Sequence, residues 1–254
     1  MFLLDDMSEY TKYAAIIRKE LQKVSTPEKI KSTKRYFPNG ITCIGASASD
    51  IRLIIADFHK NNPLLSAKQV LLVTEEVLRN SVYSEEIMLA YGLINTLVKK
   101  NYDDDLLLRF EYWLENYSTN WALVDDLCIK TIYNFLLVRP HLIEKTKHWS
   151  KSNVSWCRRA SNVVWVKFIK RKMKDSIYYL DKDLVFENCD TLLHDEDEFV
   201  QKSIGWLLKV TSLQHDAEVL NYIIKKHRLM KRSTILYALE KFPKDIRQKV
   251  LALK

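Results

Sequence analysis

Apolar side chains recur at helical spacing along almost the whole chain. Ala14, Ile17, Leu21 and Val24 share one helix face, and that stripe stops before Thr26-Pro27. A loop then runs through Phe37-Pro38-Asn39-Gly40 to Gly45. Ser47 with Asp50 three residues on forms a weak capping box, and Leu53, Ile54 and Phe58 make the stripe that follows. The spacing predicts helices over 66–80, 84–100 and 104–116. Ser66 and Ser84 serve as N-caps, and Glu85 and Glu86 favour the dipole in the first turn of the second of these helices. A longer helix begins near Thr119 and stops before Pro140. The remaining predictions are 140–148, 153–173, 183–193, 197–211, 216–227 and 232–241, with a short tail after Pro243.

About a dozen such helices joined by short loops imply stacked antiparallel pairs. The expectation is an all-α chain: an α-solenoid of HEAT-like antiparallel helix pairs, forming one domain over 1–254. No repeat of fixed length is visible, which excludes tetratricopeptide and ankyrin arrays. With 4 Gly and 5 Pro among 254 residues, a β-sandwich or barrel would lack its turn residues.

Charge changes the picture in one place. Of the 40 Lys and Arg, ten lie between Lys145 and Lys174, where there is no Asp or Glu. The other thirty are outnumbered by 32 acidic side chains, so the whole basic excess comes from this segment. It also holds Trp149, Trp156 and Trp165. A solubility patch is the plain alternative, but a single-sign, Trp-containing segment fits a surface for nucleic acid. Cys43, Cys128, Cys157 and Cys189 suit neither a zinc site nor a disulfide framework, and reduced thiols in a cytoplasmic protein are expected. The start of the chain lacks the pattern of a signal peptide, and no apolar run is long enough to span a membrane.

Three stretches could hold chemistry. Trp121 and Asp125 stand at i and i+4, which places indole and carboxylate on one helix face. By pattern alone, a core Trp beside a solvated Asp is the commoner arrangement. Trp156-Cys157-Arg158-Arg159 opens a helix in the basic segment, and Arg forks suit phosphate oxygens. Trp206 follows Gly205, whose place inside a helix implies close backbone approach at a cost of about 1 kcal/mol. Core packing is again the default for this Trp. Lys151 and Lys202 complete the candidate DNA-binding set with Trp156, Arg158 and Arg159. No His pair has ligand spacing, and no metal site is expected. The run His194–Glu198 reads as a loop and helix start. P-loop, nucleophile-elbow and dinucleotide-binding motifs are absent.

Taken together, Trp121–Asp125, Trp156–Ala160 and Phe199–Leu208 (Phe-Val-Gln-Lys-Ser-Ile-Gly-Trp-Leu-Leu) resemble, in order and spacing, the signature stretches of the AlkD-like DNA alkylation repair glycosylases. The likeness covers roughly 30–242. It implies six HEAT-like pairs in a C-shaped solenoid with a basic concave face, acting as a monomer on duplex DNA without metal or other cofactor. It implies hydrolysis of the N-glycosidic bond of 3-methyladenine and 7-methylguanine, with the lesion held in the duplex. Carried over, Asp125 is the catalytic carboxylate, Trp121 and Trp206 pack against the sugar and backbone, and Arg159 holds a phosphate. Two departures stand out. The family's aromatic DNA contact falls here near Ser32, with Tyr36 close by, and the loop from Pro38 to Gly45 is a few residues longer. Two rivals share the helical architecture: a non-catalytic protein binding distorted or branched DNA, and a protein–protein scaffold.

The chemistry is coherent in its own right. A purine alkylated at N3 or N7 is a cationic leaving group and departs without a proton. The barrier lies in the oxocarbenium character of the sugar, which a nearby carboxylate stabilises.

Overall fold

The computed structural model describes residues 3–253, with side chains from Tyr10 onward. They form fourteen α-helices and one short two-stranded sheet, with two compact units dividing between Asp103 and Asp104.

The first unit contains α1 (Leu3–Val24), α2 (Pro27–Lys34), α3 (Ala48–Asn61), α4 (Ala67–Arg79) and α5 (Ser84–Leu93). Ile17 and Leu21 of the first stripe are buried, as their spacing requires. The expected capping box of Ser47 with Asp50 forms, and the Ser66 cap proves to be a capping box as well, with Gln69. Helix α2 lies in a stretch for which the apolar pattern predicts none. Pro27 is not a stop there but the first helical residue, and the Thr26 hydroxyl accepts from the Lys29 amide.

Ser84, expected as the cap, is itself the first residue of α5, one position past the actual cap Tyr83, and this helix ends at Leu93 rather than near 100. Its two acidic residues turn inward rather than serving only the helix end. Glu85 is buried and accepts from the backbone amides of Ile44 (3.0 Å), Gly45 (2.9 Å) and Ala46 (3.4 Å). Glu86 pairs with Arg18. The loop so tethered passes through Gly45 at φ +88, where an added Cβ would stand 2.6 Å from Ile30 Cγ1. Only glycine satisfies both conditions.

The second unit begins with α6 (Leu106–Asn116). A continuous helical stretch follows: α7 (Trp121–Asp126), a π-helical segment (Leu127–Ile132) and α8 (Tyr133–Leu136). Two 3-10 segments, Pro140–Leu142 and Glu144–Lys151, lead to α9 (Ser155–Val163). After the hairpin of β1 (Lys170–Lys172) and β2 (Ile177–Tyr179) come α10 (Lys182–Leu192), α11 (Glu198–Thr211), α12 (Asp216–Lys226), α13 (Arg232–Ala238) and α14 (Lys244–Leu251). Helix α9 packs between α7 and α11, and α11 packs on α13. Against this row pack α6, the segment Glu144–Lys151, α10 and α12. That is the helix-pair layering expected of a solenoid.

Three expectations are corrected. The helix expected over 153–173 ends at Val163, and its last part is strand β1. Trp149 and Trp165 belong to the core, not to a polyanion surface: both are fully buried, and the Trp165 indole donates to the Ile143 carbonyl and the Thr146 hydroxyl. The tail after Pro243 is helical. Among the described residues, no helix is long and apolar enough to cross a membrane.

Candidate functional site

The start of α7 is capped by Asn120, whose side-chain oxygen accepts from the amides of Ala122 (3.0 Å) and Leu123 (3.1 Å). This cap holds Trp121 at the first helical position and Asp125 one turn later. Both side chains are half-buried, and Leu123 and Val124 between them are buried. The π-helical segment begins two residues after Asp125. Such segments interrupt the regular ladder and recur at functional sites.

Asp125 meets Arg159 of α9. Arg159 Nε donates to Oδ1 (3.0 Å) and Nη2 to Oδ2 (2.9 Å), a fork-to-fork pair. Arg159 Nη1 donates to the Phe199 carbonyl at the start of α11 (2.6 Å). One guanidinium thus joins α7, α9 and α11. The Arg159 side chain is 6% exposed and that of Asp125 15%. These bonds use three of the guanidinium's five N–H donors.

Burial raises the Asp125 pKa above the ordinary carboxylate value. Arg159 opposes that shift by charge and hydrogen bond, and the neighbouring Asp126 adds to it. Asp126 is also raised by burial, against its ion pair with Lys130. Beneath the pair, burial pushes the Cys128 thiol well up, reinforced by Asp125, and pushes Cys157 up to about 12. Both shifts disfavour the thiolate, the nucleophilic form of cysteine.

Two of the remaining candidates, Trp156 and Lys202, meet at Phe199. The half-buried Trp156 packs against its ring at 5.5 Å between centroids, and Lys202 Nζ stands 4.6 Å from the ring centre. Lys202 also pairs with Glu198 at 3.1 Å. Arg158 pairs with Asp195 and donates to the carbonyls of Ser152 and Asn153, both at 3.0 Å. It thereby anchors the loop before α11. Lys151 is exposed. Trp206 is half-buried two turns beyond Phe199 on α11. Its neighbour Gly205 lies against α13, where a Cβ would come 2.8 Å from Tyr237 Cβ and 2.9 Å from the Thr234 carbonyl.

Sequence reasoning missed the polar core that sets the register of α9 and α11. Asn162 donates to the Ser203 hydroxyl (2.9 Å), and Asn188 donates to Asn162 Oδ1 (2.8 Å) and Ser161 Oγ (3.1 Å), all fully buried. Gln201 donates to the carbonyls of Leu192, Leu193 and Asp195, and its own Oε1 accepts from Thr234. A Gln and a Ser inside an otherwise apolar helical stripe are the available signal. Among the described residues, one group of metal-ligand type comes together: Glu111, Glu115 and Cys157. Both carboxylates are engaged within the protein, Glu111 with His148 Nε2 (2.8 Å) and Glu115 with the Ser152 hydroxyl (2.6 Å).

The sequence model described as DNA alkylation repair enzyme matches residues 17–242. Among solved structures, the fold is similar to that of a predicted DNA alkylation repair enzyme from Enterococcus faecalis. That similarity has a TM-score of 0.73 at 15% identity, over 87% of this chain and 97% of that one. No curated protein sequence matches the chain. With the greater part of its length matched by that model, the chain belongs to the DNA alkylation repair enzyme family.

Proposed function

We propose that this protein is a DNA glycosylase that hydrolyses the N-glycosidic bond of cationic alkylated purines, 3-methyladenine and 7-methylguanine, in duplex DNA. This is the opening step of base excision repair. The observation that supports it is Asp125, a carboxylate held in a fixed direction by the Arg159 fork, one helical turn from a half-buried Trp.

In this reading the C1′–N bond breaks with its electron pair leaving on the purine, which becomes neutral. The deoxyribose gains oxocarbenium character beside the Asp125 carboxylate. Water then adds at C1′, and its proton passes to the carboxylate or to solvent. The leaving group brings its own positive charge, so the step requires neither a general acid nor a metal. Trp121 and Trp206 offer indole faces, which attract the positive edge of the sugar. The two N–H donors of Arg159 beyond its three protein bonds are the ones that would reach a phosphate. Lys151, Trp156, Arg158 and Lys202 border the DNA in the same reading, and the protein acts as a monomer.

The test is incubation with methylated duplex DNA and analysis of the released bases. Release of 7-methylguanine or 3-methyladenine by the wild type, lost in Asp125→Asn, supports the assignment. Binding to damaged or branched DNA without any release would sink it in favour of a non-catalytic binder.

A further inference from the structure

The acidic run His194–Glu198 joins α10 to α11. The Asp195 side chain is only 7% exposed. A carboxylate so placed needs donors, and it has them. Arg158 Nε donates to Oδ2 and Nη2 to Oδ1 (3.4 Å), and the Asp197 amide donates to Oδ1 (2.9 Å). The Asp195 carbonyl accepts from Gln201 Nε2 (2.9 Å). Asp197 in turn caps α11, its side-chain oxygen accepting from the amides of Phe199 (2.7 Å) and Val200 (3.1 Å). The Phe199 carbonyl then accepts from Arg159 Nη1 (2.6 Å).

These bonds make a closed ring. It leaves α9 at Arg158, passes through Asp195, Asp197 and Phe199, and returns to α9 at Arg159, the next residue. The two arginines point about 100° apart on the helix, so the ring spans both sides of the α9–α11 contact. Its last bond matters for Asp125. A guanidinium can meet a carboxylate through Nε and one terminal nitrogen, or through both terminal nitrogens. With Nη1 taken by the Phe199 carbonyl, Arg159 meets Asp125 through Nε and Nη2. The place of that carbonyl therefore selects the direction of the fork.

We propose that Asp195 is a positioning residue for Asp125: through Arg158 and the cap of α11 it sets the Phe199 carbonyl, which turns the Arg159 fork onto the Asp125 carboxylate. Asp195 touches neither DNA nor the reacting atoms in this role. The inference rests on the reading of Asp125 as the catalytic carboxylate. The plain alternative is an ion pair that only docks α10 and α11 onto α9. The ionisation of Asp125 separates the two. The charged groups that act on it are Arg159 from α9 and Asp126 on its own helix, and Cys128 faces it from the π-helical segment. Loss of the Asp195 charge would by itself lower the pKa of another carboxylate. Loosening of Arg159 raises it, because Arg159 opposes the effect of burial.

The test uses the full chain without DNA, and reads the Asp125 pKa from its carboxyl carbon by NMR. The signal is assigned by its disappearance in Asp125→Asn. Asp195→Asn should raise that pKa by about half a pKa unit or more, a part of the roughly one to three that an adjacent Arg exerts on a carboxylate. Asp195→Glu, which keeps the charge, should restore most of the wild-type value. Arg158→Lys keeps its charge but loses the fork, and should raise the Asp125 pKa as well. It also decides the matter if circular dichroism shows that Asp195→Asn has lost its helices. In an Arg159→Gln background, Asp195→Asn should add nothing. Single-turnover excision of 7-methylguanine by Asp195→Asn should fall by about tenfold, as expected of a displaced catalytic group. An unchanged or lowered Asp125 pKa in the folded variants overturns the proposal, as does a rise that persists without Arg159. The two readings fail separately. If methylated DNA releases no base but the pKa rises as stated, Asp195 still sets the Asp125–Arg159 pair and the glycosylase assignment falls. If 7-methylguanine is released while the pKa stays at its wild-type value, the reverse holds.

Discussion

Arg159 grips both carboxylate oxygens of Asp125, at 3.0 and 2.9 Å, across 34 residues of sequence. The pair decides what Asp125 can do. Burial disfavours the charged form of this carboxylate and raises its pKa. The guanidinium opposes that shift by charge and hydrogen bond and fixes the direction of the carboxylate, both of which suit the proposed oxocarbenium partner. Pairing has a cost for catalysis, because part of the negative charge is already compensated.

Asp125→Asn keeps the shape and removes the charge. A unit charge about 4 Å from a developing cation is worth roughly 4 kcal/mol at an effective dielectric near 20. That is about a thousandfold in rate. Compensation by Arg159 reduces this, so the expected loss in single-turnover excision of 7-methylguanine is at least tenfold, on the order of the smaller effects in this range. Asp126→Asn should lose much less, since its charge is spent on Lys130. Loss in Asp126→Asn with none in Asp125→Asn would mean the wrong carboxylate has been assigned.

The same shift sets a pH dependence. Burial holds the Asp125 pKa above its ordinary value of 3.8 in the folded protein. In the proposed mechanism excision uses the ionised form, so the rate should fall on acidification through a limb above the ordinary carboxylate range. Arg159 lowers this pKa, so Arg159→Gln should move the limb to still higher pH, and a limb that moves down would contradict the pairing. The stability sign is opposite to that of a salt-bridged surface acid. The folded state binds this proton more tightly than the unfolded chain. The contribution of Asp125 to stability is therefore greatest below 3.8 and is lost as pH rises through the folded value. Profiles of single-turnover rate and of urea midpoint against pH check the two halves.

Gly205 separates helix propensity from packing. Alanine would gain about 1 kcal/mol in an isolated helix. Here its Cβ would sit 2.8 Å from Tyr237 Cβ and 2.9 Å from the Thr234 carbonyl, and backbone cannot swing aside. Gly205→Ala should destabilise the fold by about 1–3 kcal/mol, as overpacking does. It should also disturb the adjacent Trp206. Thermal melts of the variant give the answer, and a raised Tm would show that α11 and α13 have room to part.

How far the sequence foretold this arrangement depended on whether a residue's role was local. Helix faces such as Ile17/Leu21 and caps such as Ser47 and Ser66 were legible, because their partners lie within one or two turns. Trp121 over Asp125 was legible for the same reason. The Asp125–Arg159 pair was not, since no periodicity links two helices. The hairpin was hidden because Lys170–Lys172 shows no alternation of apolar and polar residues. Its inward residue is Arg171, lying on an aromatic ring. Trp149 and Trp165 were misplaced because their basic neighbours point out while the indoles point in. Pro27 misled because proline both ends helices and begins them.

Substrate choice should follow the charge of the leaving group. In the proposed mechanism Asp125 acts as the carboxylate anion, and a carboxylate in that state donates no proton to a departing base. Burial raises the pKa of both neighbouring thiols, Cys128 and Cys157, which makes them weaker acids. A neutral base such as uracil would have to leave as an anion, without acid assistance. A purine methylated at N3 or N7 leaves neutral. The enzyme should therefore release 7-methylguanine and 3-methyladenine from duplex DNA and leave uracil in place under the same conditions. The comparison is made at saturating enzyme in single-turnover assays, so that affinity does not enter. Uracil release at a rate near that of 7-methylguanine would require a proton donor other than the residues described, and would remove the electrostatic argument for Asp125.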